Sequence, residues 1–303
     1  SSTLDMVGWI ENEEDEFLGN QFSSKTISAS IENARVAFPI DLNRDGSVDV
    51  ITASENDNTL IWFENNGNEN FIEHELNTSS LIGISSVHAD DINGDGFIDI
   101  ITISENYEQV FWHENDGNQN FTAHYISDAI SAPTNAITAD MDGDLNLDII
   151  IMGDHVNPIS IFLNTDDNLT ISEPSMLSLG NNLPNDIHVI DFDKDGHLDI
   201  LLAEWEFITL LKNDGNTQNL TFTELALLDD TYLQEAISLD IHDLNGDGYL
   251  DIMVASEEST TIAWYENNGN HDFTKHVIQE NHGDKGNLVN GIDIDNDGDK
   301  DII

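Results

Sequence analysis

A ten-residue acidic motif occurs six times in this chain of 303 residues: Asp41 to Val50 (DLNRDGSVDV), Asp91 to Ile100 (DINGDGFIDI), Asp140 to Ile149 (DMDGDLNLDI), Asp191 to Ile200 (DFDKDGHLDI), Asp243 to Ile252 (DLNGDGYLDI) and Asp293 to Ile302 (DIDNDGDKDI). The first residues of successive copies lie 50, 49, 51, 52 and 50 apart. A period of this length restricts the chain to repeat architectures, in which one supersecondary unit is copied and buries its faces against its neighbours.

The unit is longer than its acidic loop and runs through four apolar or alternating segments separated by turn residues. In the second unit these are Ile84 to Ala89, Phe97 to Ile103, Gln109 to His113 and Asn120 to Ile126. Each is short and rich in Val, Ile, Phe, Trp or Thr, which predicts four strands. Asn115-Asp116-Gly117-Asn118 joins the last two, a hairpin signal because these residues tolerate the positive φ of a tight turn. Equivalent turns stand at 65–68, 213–216 and 267–270, with a weaker version at 164–168.

A radial array of four-stranded antiparallel units covers each sheet with the next, so the expected fold is an all-β propeller. The Trp-Asp and Gly-His signatures of WD40 repeats are absent, and the coils of parallel β-helices are shorter than this unit. The ends set the blade count. Trp9 and Asn12 align with Trp62 and Asn65, Trp112 and Asn115, and Trp264 and Asn267. The N-terminal segment 1–30 then supplies the outer strands, and 285–303 the inner strands, of one shared blade beside the repeats of 31–284. The expectation is a single six-bladed domain over 1–303, with seven blades as the alternative if the chain continues.

With the loop numbered from its first Asp, positions 1, 3, 5 and 9 are Asp or Asn in every copy. Hard oxygens at alternating positions around a tight turn suit Ca²⁺, which takes six to eight of them, better than Mg²⁺, which prefers stricter octahedra with several waters. The predicted side-chain ligands are Asp41, Asn43, Asp45 and Asp49; Asp91, Asn93, Asp95 and Asp99; Asp140, Asp142, Asp144 and Asp148; Asp191, Asp193, Asp195 and Asp199; Asp243, Asn245, Asp247 and Asp251; and Asp293, Asp295, Asp297 and Asp301. By analogy with the helix-flanked calcium loop, position 7 adds a backbone carbonyl, from Ser47, Phe97, Asn146, His197, Tyr249 and Asp299. Position 6 is Gly except at Leu145, which is strained if it must be left-handed unless Gly143 shifts the turn. Arg44 is expected to point outward.

The units DINGDGFIDIITISENYEQVFWHENDGNQNFTAHYI and DLNGDGYLDIMVASEESTTIAWYENNGNHDFTKHVI resemble the FG-GAP or VCBS-type repeats of extracellular proteins, related to the integrin α-subunit propeller. The resemblance covers essentially the whole chain. It implies about six Ca²⁺ ions bound in the loops between first and second strands, an extracellular or cell-surface location, and ligands on the opposite face or the side. The family includes adhesion proteins, lectins and some polysaccharide lyases, so it leaves activity open.

Charge narrows the partners. Sixty Asp and Glu against 8 Lys and Arg give −52, a field that repels nucleic acid and anionic membranes; six divalent ions would leave about −40. No apolar run reaches membrane-span length, the opening SSTLDM lacks signal-peptide character, so the chain reads as already processed, and no cysteine is present.

Opposite the loops, the turns after the second strands carry Glu55, Glu105, Glu204 and Glu257, with Asp154 near a fifth equivalent and Tyr107 and Trp205 beside them. These are the candidate ligand-binding residues, set against the simpler reading of a copied turn residue. Trp9, Trp62, Trp112 and Trp264 align with Phe162 and Leu211 and read as packing between blades. His74, His124 and His276 recur at one fourth-strand position, while His88, His188 and His242 lie near Asp186 and Asp240 and are candidates for a channel cluster. No cysteine nucleophile, G-x-S-x-G elbow or phosphate loop occurs. The eight basic residues look scattered, which weighs against uronate lyase chemistry. The sequence expectation is an extracellular calcium-stabilised binding or adhesion module for protein or carbohydrate. The alternatives are a lyase-type enzyme and a self-assembling unit of a surface layer or filament.

Overall fold

The computed structural model describes residues 7–15, 19–28, 31, 34–54, 58–68, 70–76, 82–154, 158–165, 171–172, 174–177, 183–216, 220–229, 236–256, 261–270, 272–280, 289, 291–292 and 301–302. An antiparallel pair, β1 (Val7–Asp15) and β2 (Gly19–Ser28), comes first. Five four-stranded antiparallel sheets follow, each in simple chain order. They are β3 (Ala34–Ile40), β4 (Asp49–Ser54), β5 (Thr59–Asn65) and β6 (Phe71–Leu76); β7 (Ser86–Asp90), β8 (Asp99–Ser104), β9 (Gln109–Asn115) and β10 (Phe121–Ser127); β11 (Asn135–Ala139), β12 (Asp148–Met152), β13 (Ile159–Phe162) and β14 (Ser175–Leu177); β15 (Asp186–Ile190), β16 (Asp199–Ala203), β17 (Phe207–Asn213) and β18 (Phe222–Asp229); and β19 (Ala236–His242), β20 (Asp251–Ser256), β21 (Thr261–Asn267) and β22 (Phe273–Glu280). A short pair, β23 (Gly291–Ile292) and β24 (Asp301–Ile302), ends the chain. The fold is an all-β, six-bladed propeller; five blades are complete four-stranded sheets, and each terminal pair is a two-stranded sheet of its own.

The second strand of each blade explains the pattern. Asp99–Ser104, Asp148–Met152 and Asp251–Ser256 are buried at every residue, so they read as continuous apolar runs instead of alternating ones. Ile100 packs with Ile51, Leu60, Trp62 and Val87 in one cluster. Ile101 and Ile103, pointing the other way, pack with Trp112, Ala136, Ile149 and Ile151 in another. Each side chain of Leu, Ile or Val size so buried contributes about 1.5–3 kcal/mol.

Register corrects one alignment. Trp62, Trp112 and Trp264 pair with Ile51, Ile101 and Met253, each two residues past the loop's last Asp. The same pairing selects Ile161 opposite Ile150 and Leu210 opposite Leu201. The tryptophan column is therefore filled by Ile161 and Leu210 in blades three and four, not by Phe162 and Leu211, which point to the opposite face because strand side chains alternate.

Contacts divide the chain into two compact units, 1–138 with 146–174, and 139–145 with 175–303. In the first, Val7 and Ile31 pack with Ile61 and Phe63, so the N-terminal strand pair seats on the first complete blade. In the second, Leu201, Leu210 and Leu228 of one blade pack with Leu239, Ile252 and Val254 of the next.

Candidate metal centre

Each described loop folds on its own carboxylates. The first-position Asp accepts backbone N–H groups from positions 5 and 6 at Asp41 (3.0 and 2.9 Å), Asp191 (3.0 and 3.0 Å) and Asp243 (3.1 and 2.9 Å). Position 3 accepts the N–H of position 5, and Oδ1 of position 5 accepts the N–H of position 7 in four loops. Such a wrap requires left-handed backbone at two places. Position 6 takes φ of 90, 93, 94 and 91° at Gly46, Gly96, Gly196 and Gly248, and Leu145 follows at 76°. Position 4 is left-handed too, at Arg44, Gly94, Gly143, Lys194 and Gly246. Gly143 thus does what the fourth-position residue does in each described loop, and the third loop keeps the common turn with Leu145 strained.

Position 9 has a second role. Asp49, Asp99, Asp148, Asp199 and Asp251 are fully buried, and Oδ1 of each accepts the N–H of the Asn that ends the third strand or follows it, at 2.7–2.9 Å. Those Asn side chains return the contact: Asn65, Asn115, Asn213 and Asn267 donate to the carbonyl at loop position 8. In the first, fourth and fifth blades Oδ2 accepts the N–H of position 2 at 3.0–3.2 Å. In the second blade Asp99 Oδ2 is buried with no hydrogen-bond partner. Burial, partly opposed by the Asn115 N–H and the nearby Trp112 indole, pushes Asp99 up to about 6; burial raises Asp49, Asp199 and Asp251 as well.

The donor set fits a divalent cation. One oxygen each from Asp140, Asp142 and Asp144, and one each from Asp191, Asp193 and Asp195, lie within 4.8 Å of one another; in the second loop the buried Asp99 Oδ2, which makes no hydrogen bond, is an anionic oxygen that nearby positive charge would stabilise. Asp142 is raised by burial and by its neighbours Asp144 and Asp140. Acidic clusters of this kind could hold a metal ion, although in the fourth loop two of the acids also meet a lysine. Asp293, Asp295, Asp297 and Asp299 of the sixth loop lie outside the described residues.

A third-strand column feeds the loops, and repeat spacing alone does not single it out. Glu64 and Glu266 accept hydrogen bonds from Asn43 and Asn245 at loop position 3, both at 3.2 Å. Glu64, Glu114 and Glu266 also bind His74, His124 and His276 at 2.8–2.9 Å, and those rings stack on Trp62, Trp112 and Trp264. In the fourth blade the same column holds Lys212, whose Nζ donates to Asp193 Oδ2 and to Asp195 Oδ2 (2.9 Å). Nor is Arg44 merely outward: it meets Asp91 of the next loop at 3.1 Å, and Lys194 donates to the Gly248 carbonyl of its next loop. Among the described residues, Arg44, Lys194 and Lys212 are therefore at the loops and not scattered. The signal was a Lys in a column of Glu.

The other candidates separate. Glu204 is buried and accepts from Thr209 at 2.9 Å; it follows the loop's last Asp by five residues, as Ser104 does, so Trp205 takes the Glu105 position and Glu204 is no surface carboxylate. Tyr107 and Trp205 are exposed, Glu105 opens a short 3-10 turn, and Glu55 and Glu257 lie outside the described residues. The inner-strand groups hold strands. His88 bonds Thr138, which donates to Asp90; Asp186 accepts the Leu239 N–H; and Asp240 accepts from His242 and the Gly291 N–H.

The model of the FG-GAP-like repeat matches residues 41–102, 91–151 and 243–303, together more than half the chain. No curated protein matches it in sequence. Among solved structures it is similar to an Agrocybe aegerita lectin that recognises non-reducing terminal N-acetylglucosamine, with TM-score 0.62 and 18% identity over 90% of this chain and 74% of that one. It is also similar to putative 6-phosphogluconolactonases of Bacteroides uniformis, with TM-score 0.60 and 16% identity over 94% and 86%, and of Bacteroides fragilis, with TM-score 0.58 and 13% identity over 97% and 99%. At these identities the likeness concerns the fold alone.

Proposed function

The chain belongs to the FG-GAP-like repeat family, and on that premise we propose that it is a calcium-stabilised binding module of the extracellular or cell-surface space, with a glycan or protein as ligand. The observation that carries the calcium reading is the third loop's cluster, in which one oxygen each of Asp140, Asp142 and Asp144 lie within 4.8 Å of one another; the buried Asp99 Oδ2 of the second loop, which makes no hydrogen bond, adds to it. The side chains at positions 1, 3, 5 and 9 and the carbonyl at position 7 would hold the ion, which supplies positive charge to hard oxygens. Glycan recognition draws support from the lectin of similar fold and from Tyr107 and Trp205, exposed rings of the kind on which sugars stack.

Calcium at tenfold excess over its dissociation constant contributes about 1.4 kcal/mol per ion, so five or six ions contribute about 7–8 kcal/mol. For a chain of this length that is a shift of about 10 °C in Tm. Melting is measured with calcium and with EGTA, and the calcium-loaded protein is then applied to a glycan array. Identical melting curves would overturn the calcium reading; an array without bound sugars, with Trp205→Ala leaving all partners unaffected, would overturn the carbohydrate reading.

A further inference from the structure

Resting on that calcium reading, we propose that Lys212 is the built-in cation of the fourth loop, so that Asp191 to Ile200 takes no calcium at concentrations that fill loops lacking a lysine. The geometry is selective. Oδ1 of Asp193 and of Asp195 is taken by the N–H groups of Asp195 and His197, and the oxygens left over, Oδ2 of both, are the two that Lys212 Nζ meets. Those are the oxygens an ion in this loop would need.

The rest of the blade is altered to match. The first, second and fifth loops carry Asn at position 3 and Glu in the third-strand column, as Asn43 with Glu64, Asn93 with Glu114 and Asn245 with Glu266. Each therefore has four acids in reach. The third loop also has four, with Asp142 at position 3 and Leu163 in the column. Only the fourth, among the described loops, sets a cation from its own third strand against its four acids. The histidine and tryptophan that accompany Glu in the other blades are absent with it: Leu210 stands opposite Leu225 where Trp62 stands opposite His74. A tethered ammonium competes at an effective concentration of about millimolar or above, and calcium must displace it and meet its positive charge nearby.

Equilibrium dialysis against calcium counts bound ions on the full chain and on Lys212→Leu, which recreates the third loop's arrangement of Asp142 and Leu163. One additional ion on the variant is expected. Equal, non-zero counts overturn the lysine proposal and leave the calcium reading standing; no bound ion on either protein overturns both. Should the variant fail to fold by circular dichroism, amine labelling of the native chain decides: Lys212 is expected to label slowly and at the same rate with or without calcium, and labelling that rises on adding calcium overturns the proposal.

Discussion

Asp99 makes the role of positive charge measurable at one residue. Its carboxyl is fully buried, Oδ1 accepts the Asn115 N–H at 2.8 Å, and Oδ2 makes no hydrogen bond of normal geometry, the Trp112 indole being the donor nearby. Burial raises it from 3.8 to about 6. The sign follows from linkage: between these values the folded chain binds more protons than the unfolded one, so stability falls as pH rises through this window. For metal-free protein the charged carboxylate costs about 3 kcal/mol at pH 7 and roughly half of that at pH 5. In EGTA, the metal-free chain should therefore gain roughly 1 to 2 kcal/mol from this group on moving from pH 7 to pH 5. Asp99→Asn keeps an oxygen for Asn115 and removes the charge, so it should remove that share of the pH dependence. The comparison of the two chains cancels the general relief that acid brings to a protein of net charge −52. Urea denaturation at the two pH values gives the difference. Parallel pH profiles for wild type and Asp99→Asn in EGTA would refute the assignment of a buried, uncompensated charge to this oxygen.

Leu145→Gly should stabilise the protein by about 1 kcal/mol, because Leu145 is held at φ 76° while its side chain, 90% exposed, packs on little; an unchanged or lower urea midpoint would count against strain in the third loop. Gly117→Ala should destabilise by about 2 kcal/mol, since Gly117 has φ 75° and an added Cβ would lie 2.4 Å from the Phe97 ring. A wild-type midpoint for that variant would mean that the position-7 ring does not close over the hairpin.

The repeat made much of the fold legible from residues alone. Spacing near 50 set the unit, apolar runs such as DIITIS marked strands buried on both faces, and the Asn-Gly and Asp-Gly turns set the hairpins. The acidic loops were equally plain, because metal-type donor patterns require particular residues at particular positions. Local chemistry of this kind is written in consecutive residues, and the turns at Gly67, Gly117, Gly215 and Gly269 take the positive φ their composition called for.

What spacing could not supply was which residues meet across strands. Trp62 and Leu210 share a column only through hydrogen-bonded register, and a slip of one residue had put Leu211 there. Glu204 looked like a surface acid until strand register placed it in the Ser104 column, buried on Thr209. Lys212 and Asp193 are 19 residues apart, and Arg44 and Asp91 are 47 apart; their pairing depends on how strands and neighbouring loops are laid side by side. The sequence by itself determined the repeated unit and its acidic loops, since both follow from local backbone preference and ligand chemistry. Tertiary structure decided how the charge of the second and fourth loops is balanced, because long side chains from a neighbouring loop or another strand reach them only once the blades have formed.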